Sequence, residues 1–286
     1  MTLLVVSTIA SCSSDDSSTP VTPPVTETFS YTKDGSAVPI TTWTAIKAEN
    51  SIEVLGTNPD GRSIFVSFDK FGNLDSVGCT PEYKSAEEWK DNFYDFSSNY
   101  FNFSLISLNE ATKTVTVTFS GKLYEDENDI NSPFSEVSGG FTVRYTETAP
   151  SVSGIGTFAK IAGNDWHAVK GYTTSTGGSF SDITLVESSD DEYSIGISLN
   201  ILSTATGTYN FTPTSANNKV VLSKFDTVTM LNIQYLCTGT FVLTDKTSIG
   251  GDMYLISGTF TLTAVNPMNS AQTIQVLNGT FLEVAS

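Results

Sequence analysis

Short segments in which apolar and polar residues alternate run through most of the chain. Residues 114–119 read Thr-Val-Thr-Val-Thr-Phe, with an apolar side chain at every second position. Because successive side chains of a β-strand point to opposite faces of the sheet, this pattern predicts a strand with one buried face. The same kind of pattern predicts strands over residues 63–68, 140–145, 193–199, 240–243, 254–262 and 273–281.

The segments between these predicted strands are rich in residues that favour turns. Gly, Asn, Asp and Pro occur there, for instance in Asn58-Pro59-Asp60-Gly61. Many short strands with few helical windows are typical of antiparallel sandwiches and barrels. We therefore predict an all-β fold of two tandem antiparallel β-sandwich or barrel-like domains.

The two predicted domains rest on a weak internal repeat. Gly35 stands ahead of Trp43 and Ala45 in the first half, and Gly163 stands ahead of Trp166 in the second. Two Gly-centred segments then close each half, at Gly121 and Gly139 and at Gly258 and Gly279. We expect one unit used twice. The predicted ranges are 29–148 for the first domain, 149–156 for a linker and 157–286 for the second domain.

A Gly-Thr-aromatic triplet recurs in the second half. It begins at Gly156, Gly207, Gly239, Gly258 and Gly279. A glycine inside a strand marks a bulge or a close approach of another chain segment, and the aromatic residue two positions later falls on the same face. We expect a structural role for these glycines, because no phosphate-binding glycine motif is present.

One window has helical periodicity. Ser85 and Glu88 have the spacing of a capping box, and Trp89, Phe93 and Phe96 follow on one helical face. The second half has no equivalent, so we predict a short helical insertion in the first domain.

Aromatic residues are concentrated around this window. Trp89, Tyr94 and Tyr100 would form a ligand platform if they are exposed, since aromatic rings pack well against sugar rings. The alternative is that these rings pack the predicted helix onto the sheet. The residues alone leave both interpretations open.

Composition and charge exclude several classes of function. The 286 residues carry 14 Lys and Arg against 31 Asp and Glu, a formal net charge of −17. A nucleic-acid-binding surface needs clustered basic residues, so no nucleic-acid partner is expected. With one His and three Cys, the chain lacks the ligands for a three-histidine zinc site. Cys79 and Cys237 are either two buried thiols or a disulfide.

No catalytic residue is predicted. The single histidine, His167, is not accompanied by a nucleophile motif such as Gly-x-Ser-x-Gly. The number of acidic residues does not exclude a carboxylate pair for glycoside hydrolysis. However, no acid was identified inside an apolar strand, where its pKa would be shifted. The sequence therefore leaves enzymatic activity undecided and favours a non-catalytic protein.

An acidic segment offers a weak candidate for calcium. Asp126, Asn128 and Asp129 supply clustered oxygen ligands of the kind that Ca²⁺ prefers. The register of an EF-hand loop is absent, and an acidic turn on an acidic surface is usually only solvated. No other cofactor is expected.

The N-terminus resembles an export signal. Residues 1–11 contain a short apolar core, and Ile9-Ala10-Ser11-Cys12 resembles a bacterial lipobox, in which the cysteine is lipidated. No Lys or Arg precedes Lys33, so we expect the translation start to lie upstream. Residues 12–28 are rich in Ser, Thr, Asp and Pro and predict a flexible tether behind a lipid anchor at Cys12.

Two further features resemble those of flavobacterial lipoproteins. Asp15-Asp16 after the cysteine resembles the acidic export signal of Bacteroidetes surface lipoproteins. The front Trp and closing Gly-Thr-Phe pattern resembles small duplicated β-rich lipoprotein domains of unknown function. The resemblance implies an outer-membrane protein, lipid-anchored in the membrane and facing the cell exterior.

These observations favour a non-catalytic cell-surface lipoprotein that binds a glycan or another envelope protein. One alternative is a secreted hydrolase of polysaccharide or lipid, which requires a cleft with two convergent acids or His167. Another is a structural spacer.

Overall fold

The regular structure of the protein consists almost wholly of β-strands, which confirms the prediction of an all-β fold. A computed structural model describes residues 25–80, 89–150, 152–175, 181–251 and 253–285. Each of the seven segments with alternating residues overlaps a strand. On the strand that contains residues 114–119, Val115, Val117 and Phe119 are buried as the alternation requires.

The first half of the chain, residues 28–148, forms eleven strands in one sheet. Its strands are β1 (Thr28–Lys33), β2 (Ser36–Val38), β3 (Thr42–Ala48), β4 (Ser51–Thr57), β5 (Ser63–Asp69), β6 (Leu74–Thr80), β7 (Lys90–Asp91), β8 (Phe101–Asn109), β9 (Thr114–Tyr124), β10 (Phe134–Arg144) and β11 (Thr146–Thr148). A four-residue helix, α1 (Ser97–Tyr100), lies between β7 and β8.

This sheet curls around a single core. Its strand order is β11-β3-β4-β5-β6-β7-β9-β10-β1-β2, with β8 paired to β9. The described pairings are antiparallel except that of β11 with β3. Phe29 of β1 nevertheless packs on Trp43 of β3, with ring centroids 6.4 Å apart. Strands near opposite ends of the order therefore meet across the core.

The second half, residues 156–285, forms two sheets. Its strands are β12 (Gly156–Ile161), β13 (Asn164–His167), β14 (Lys170–Ser175), β15 (Asp182–Ser188), β16 (Tyr193–Asn200), β17 (Gly207–Phe211), β18 (Lys219–Asp226), β19 (Leu231–Gln234), β20 (Leu236–Gly250), β21 (Met253–Asn266) and β22 (Asn269–Ala285). The orders are β13-β12-β22-β21-β20-β17 and β14-β15-β16-β18-β19. Side chains of both sheets share one buried core, as in a sandwich.

Both halves begin with the same kind of hairpin. The turn after β1 uses Asp34 and Gly35, with φ of 51° and 75°, and the turn after β12 uses Ala162 and Gly163, with φ of 51° and 89°. Two consecutive residues with positive φ make the turn that matches the twist of the flanking strands. In each half the first strand also pairs with the last long strand, β1 with β10 and β12 with β22.

The tryptophan near the front of each half has a carboxylate partner. The indole N–H of Trp43 donates a hydrogen bond to Glu27 at 3.1 Å, and that of Trp166 donates to Asp191 at 3.2 Å. An indole buried without a partner would lose its hydrogen bond to water, so the carboxylate stabilises each ring in place.

Two of the repeated glycines, Gly258 and Gly279, make room for aromatic rings. Gly279 lies opposite Phe260, and Gly258 lies opposite Phe281, on neighbouring strands. A Cβ at either glycine would collide with the facing ring. The triplets therefore have the structural role that the sequence predicted, because the small residue on one strand accommodates the buried ring of the next.

The predicted helical insertion is not seen in the described residues. Ser85 lies outside them, and Trp89, Phe93 and Phe96 are not helical. The chain instead forms β7, which pairs with β6 and β9, so tertiary pairing overrides the local periodicity. Only α1 is helical in the described part of the first half, and none of the described helices is long and apolar enough to cross a bilayer.

The two halves contact each other through short segments. Asp190 accepts a hydrogen bond from the main-chain N–H of Leu74 at 3.2 Å, and its main-chain oxygen accepts one from Ser98 at 2.9 Å. The imidazole of His167 stacks on Phe71, which lies in the turn after β5. These contacts bring that turn and α1 of the first half against the second half.

Candidate functional site

A cleft of about 560 Å³ opens where the two halves and the segment between them meet. We call it the junction cleft. Its lining comes from the turns after β3 and β5, from β12, β14 and β15, from the end of β22, and from Pro150, Val152 and Ile155 between the halves. Sites for small molecules occupy about 300–1,000 Å³, so the junction cleft has a suitable size.

Two glutamates occupy core-facing positions beside this cleft. In β15, Ile183 and Leu185 are buried, and Glu187 follows at the next inward position. In β22, Phe281 is followed in the same way by Glu283. Both glutamates line the cleft. Although β15 and β22 belong to different sheets, the two carboxyl groups are close enough for the Glu283 charge to act on Glu187.

Neighbouring residues hold the two carboxyl groups. Gly171 of β14 is the cross-strand partner of Glu187, and a Cβ at position 171 would collide with the carboxyl group. The absence of a side chain at position 171 therefore leaves the space in which the Glu187 carboxyl group lies across β14. Glu283 accepts a hydrogen bond of 2.9 Å from the hydroxyl of Thr157, which is fully buried.

Burial and mutual repulsion raise the pKa of this pair. Burial raises the pKa of Glu187 above its ordinary value of 4.5, and the Glu283 carboxyl raises it further. Burial also raises the pKa of Glu283, although the hydrogen bond from Thr157 opposes that shift. Two like charges in a poorly hydrated site are costly, so the pair retains a proton near neutral pH.

The other acids of the cleft are already engaged in turns. Glu49 accepts hydrogen bonds of 3.0 and 2.9 Å from the main-chain N–H of Gly154. Asp69 accepts hydrogen bonds from the main-chain N–H groups of Phe71 and Asn73, both at 2.9 Å. Glu49 and Asp69 therefore hold main-chain segments that line the cleft. The Glu187–Glu283 pair keeps carboxyl oxygens that are free to accept hydrogen bonds from a ligand.

An aromatic cluster forms one wall. Phe71 stays 46% exposed although its ring stacks on His167, with centroids 3.8 Å apart and an interplanar angle of 5°. Phe158 meets both rings edge-on. Burial lowers the pKa of His167, and its Nδ1 is buried without a hydrogen-bond partner. The histidine thus acts as a neutral support behind Phe71.

The three residues of the predicted aromatic platform have different surroundings. The side chain of Trp89 is exposed. Tyr94 lies between the halves, with the Lys170 ammonium group 4.3 Å from its ring centroid, and the hydroxyl of Tyr100 donates a hydrogen bond to Met230 at 3.5 Å. Tyr94 and Tyr100 therefore contact residues of the second half.

The predicted calcium ligands lie in the exposed turn between β9 and β10. Asp126 accepts a hydrogen bond from the main-chain N–H of Asn128, and Asp129 accepts one from Asn131, each at 2.9 Å. In the part of the chain that the structure describes, no three acidic, His or Cys side chains are placed to hold a metal ion together. Cys79 and Cys237 are free and buried, and Cys12 lies outside the described residues.

The sequence analysis missed the glutamate pair. The expectation that no acid lies inside an apolar strand is wrong for Glu187 and Glu283. The available signal was the alternation itself, because Ile183 and Leu185 define an inward face on which Glu187 also falls. The convergence of two such acids had no sequence signal, since β15 and β22 lie far apart along the chain.

The junction cleft thus combines a half-exposed aromatic ring with two nearly buried carboxyl groups whose pKa values are raised. Such a site donates and accepts hydrogen bonds beside an apolar surface. No family model matches the chain, and no curated protein is significantly similar to it.

Proposed function

We propose that this protein binds a saccharide in the junction cleft. One observation carries the proposal: the half-exposed ring of Phe71 and the Glu187–Glu283 pair line the same cleft. A sugar ring has apolar C–H faces and hydroxyl groups around its edge. The faces pack on an aromatic ring, and the hydroxyl groups hydrogen-bond to carboxyl groups.

The charges of the cleft limit the class of saccharide. Its charged lining residues are Glu49, Asp69, Glu187, Glu283 and Lys170. The ammonium group of Lys170 donates a hydrogen bond to the main-chain oxygen of Tyr94 and lies 4.3 Å from the centroid of the Tyr94 ring. Uronic acids, sialic acids and sugar phosphates would be repelled, so we expect neutral or cationic saccharides.

The test is binding to a glycan array, followed by calorimetry with the saccharides that bind. Phe71→Ala should weaken binding about two- to tenfold, because aromatic packing contributes roughly 0.5–1.5 kcal/mol. The matched control is Phe134→Ala, which removes a similarly exposed ring of β10 that does not line the cleft. Equal binding by both variants, or no binding to any saccharide, contradicts the proposal and favours a spacer.

A second candidate function is hydrolysis of a glycosidic bond. The observation that favours it is the raised pKa of Glu187 beside Glu283, since glycosidases use one protonated and one ionised carboxyl group. Incubation with the saccharides that bind, followed by assay of reducing ends, tests it. Hydrolysis should disappear in Glu187→Gln, whereas saccharide that remains intact with the wild-type protein supports a binding protein.

We also propose that the protein is a lipoprotein on the outer face of the outer membrane. The support is the lipobox-like segment ending at Cys12 and the Ser/Asp-rich tether behind it. Metabolic labelling with a fatty acid should mark the wild-type protein and not Cys12→Ser. Equal labelling of the two proteins would contradict the lipid anchor. Protease treatment of intact cells then tests exposure on the exterior.

A further inference from the structure

We infer that the saccharide bound in the junction cleft carries a positively charged amine, as a glucosamine unit does, and that the Glu187–Glu283 pair receives this amine. The inference rests on the proposed saccharide binding and names the charge class of the ligand.

The first observation is an unpartnered carboxyl group at the edge of the core. Glu187 is only 8% exposed and lines the cleft. Within the described residues its carboxyl group has neither a hydrogen bond nor an ion pair. The charged group that acts on it is another acid, Glu283. A nearly buried carboxyl group without a protein partner is poorly hydrated, and a ligand that supplies hydrogen-bond donors offsets this cost.

The second observation is that, in the part of the chain that the structure describes, the groups around the pair do not supply a counter-charge. Glu49 and Asp69 are acidic and are held by main-chain N–H groups. Lys170 is the cation of the lining, and its ammonium group is taken up by the ring and main-chain oxygen of Tyr94. The pair therefore presents an electrostatic environment that favours a cation.

The third observation concerns geometry. Glu187 and Glu283 come from the two facing sheets, and Gly171 leaves the space that the Glu187 carboxyl group occupies. Glu283 uses one carboxyl oxygen for Thr157 and keeps the other. An ammonium group has three donors and no acceptor, so it can donate to both carboxyl groups together.

Binding of an ammonium group changes the protonation of the pair. The amine's positive charge stabilises both carboxylates, so the proton that the free pair retains is released to the buffer. A neutral sugar has no such effect. Proton release on binding therefore distinguishes an amine held by this pair from a hydroxyl group held in the same place.

The experiment compares three disaccharides of the same linkage by calorimetry at about pH 6. They are the glucosamine disaccharide, its N-acetylated form and cellobiose, which carry an ammonium, an amide and a hydroxyl group at the same position. We expect the glucosamine disaccharide to bind at least about tenfold more tightly than cellobiose, as charge-assisted hydrogen bonds allow. Its binding should release protons in buffers of different ionisation enthalpy.

Substitutions test whether the Glu187–Glu283 pair causes the preference for the glucosamine disaccharide and the proton release. Glu187→Gln and Glu283→Gln should each abolish most of the preference and the proton release. Glu53→Gln removes the same charge from an exposed position in β4 and should preserve both. Raised salt should weaken binding of the glucosamine disaccharide more than binding of cellobiose.

The possible outcomes distinguish failure of this inference from failure of the proposed saccharide binding. Equal affinity for the three disaccharides overturns the amine preference and leaves saccharide binding intact. A preference that survives in both Gln variants also overturns the inference, because the amine then binds elsewhere on the acidic surface. Failure of every saccharide to bind overturns the inference and the proposed function together.

Discussion

The imidazole of His167 lies flat on the ring of Phe71, with centroids 3.8 Å apart and an angle of 5° between the planes. One residue belongs to each half of the chain, so this stack joins the halves at the wall of the junction cleft. The ammonium group of Lys70 lies 5.2 Å from the centroid of the Phe71 ring. The negative charges of Asp69 and Asp165 oppose the lowering of the His167 pKa.

Phe71→Leu should raise the pKa of His167. Burial is the main cause of its lowered pKa, and loss of the stacked ring admits water to the imidazole. The pKa should therefore move toward the ordinary value of 6.5. NMR titration is unambiguous because the chain has one histidine. Phe134→Leu is the control, and an unchanged titration in Phe71→Leu would show that the stack does not desolvate His167.

Glu187→Gln should stabilise the protein, and more so at high pH. The pKa of Glu187 is raised in the folded protein, so ionisation disfavours folding once the pH exceeds the ordinary value of 4.5. Gln has no charge to bury. Since one unit of pKa corresponds to about 1.4 kcal/mol, urea denaturation should give the variant at least that advantage near pH 9 and little near pH 5. A constant difference across this range would contradict the buried acid.

Lys170→Met should destabilise the protein. The ammonium group donates to the main-chain oxygen of Tyr94, and Asp75 and Asp190 lie near it. Its removal leaves these carboxylates without a counter-charge at the contact between the halves, which costs about 2 kcal/mol. Urea denaturation measures the loss. Lys160→Met, which breaks an exposed ion pair with Asp165, should cost less than about 1 kcal/mol, and equal losses would count against a special role for Lys170.

Gly279→Ala should also destabilise the protein. The added methyl group would collide with the ring of Phe260, which fills the core. Overpacking of this kind costs about 1–3 kcal/mol. Gly196→Ala is the control, because its Cβ would meet the nearest side-chain atom at an ordinary 3.4 Å, and its stability should change by less than about 1 kcal/mol. Thermal denaturation of both variants checks the ranking.

The strands were predictable because their signal is local. The alternation at residues 114–119 reports directly which side chains face the core, and the structure places Val115, Val117 and Phe119 there. The predicted helical insertion was not confirmed, and the reason is non-local. The backbone of β7 pairs with β6 and β9, and those pairings outweigh the periodicity of the nearby aromatic residues.

The sequence by itself determined the all-β class, the inward faces of the strands and a structural role for the repeated glycines. Each of these follows from the two-residue period of a strand and from the volume of a side chain. Only the tertiary structure decided that Glu187 and Glu283 converge beside Phe71. Their strands belong to different sheets, and the convergence depends on how the sheets and halves pack, which no local pattern encodes.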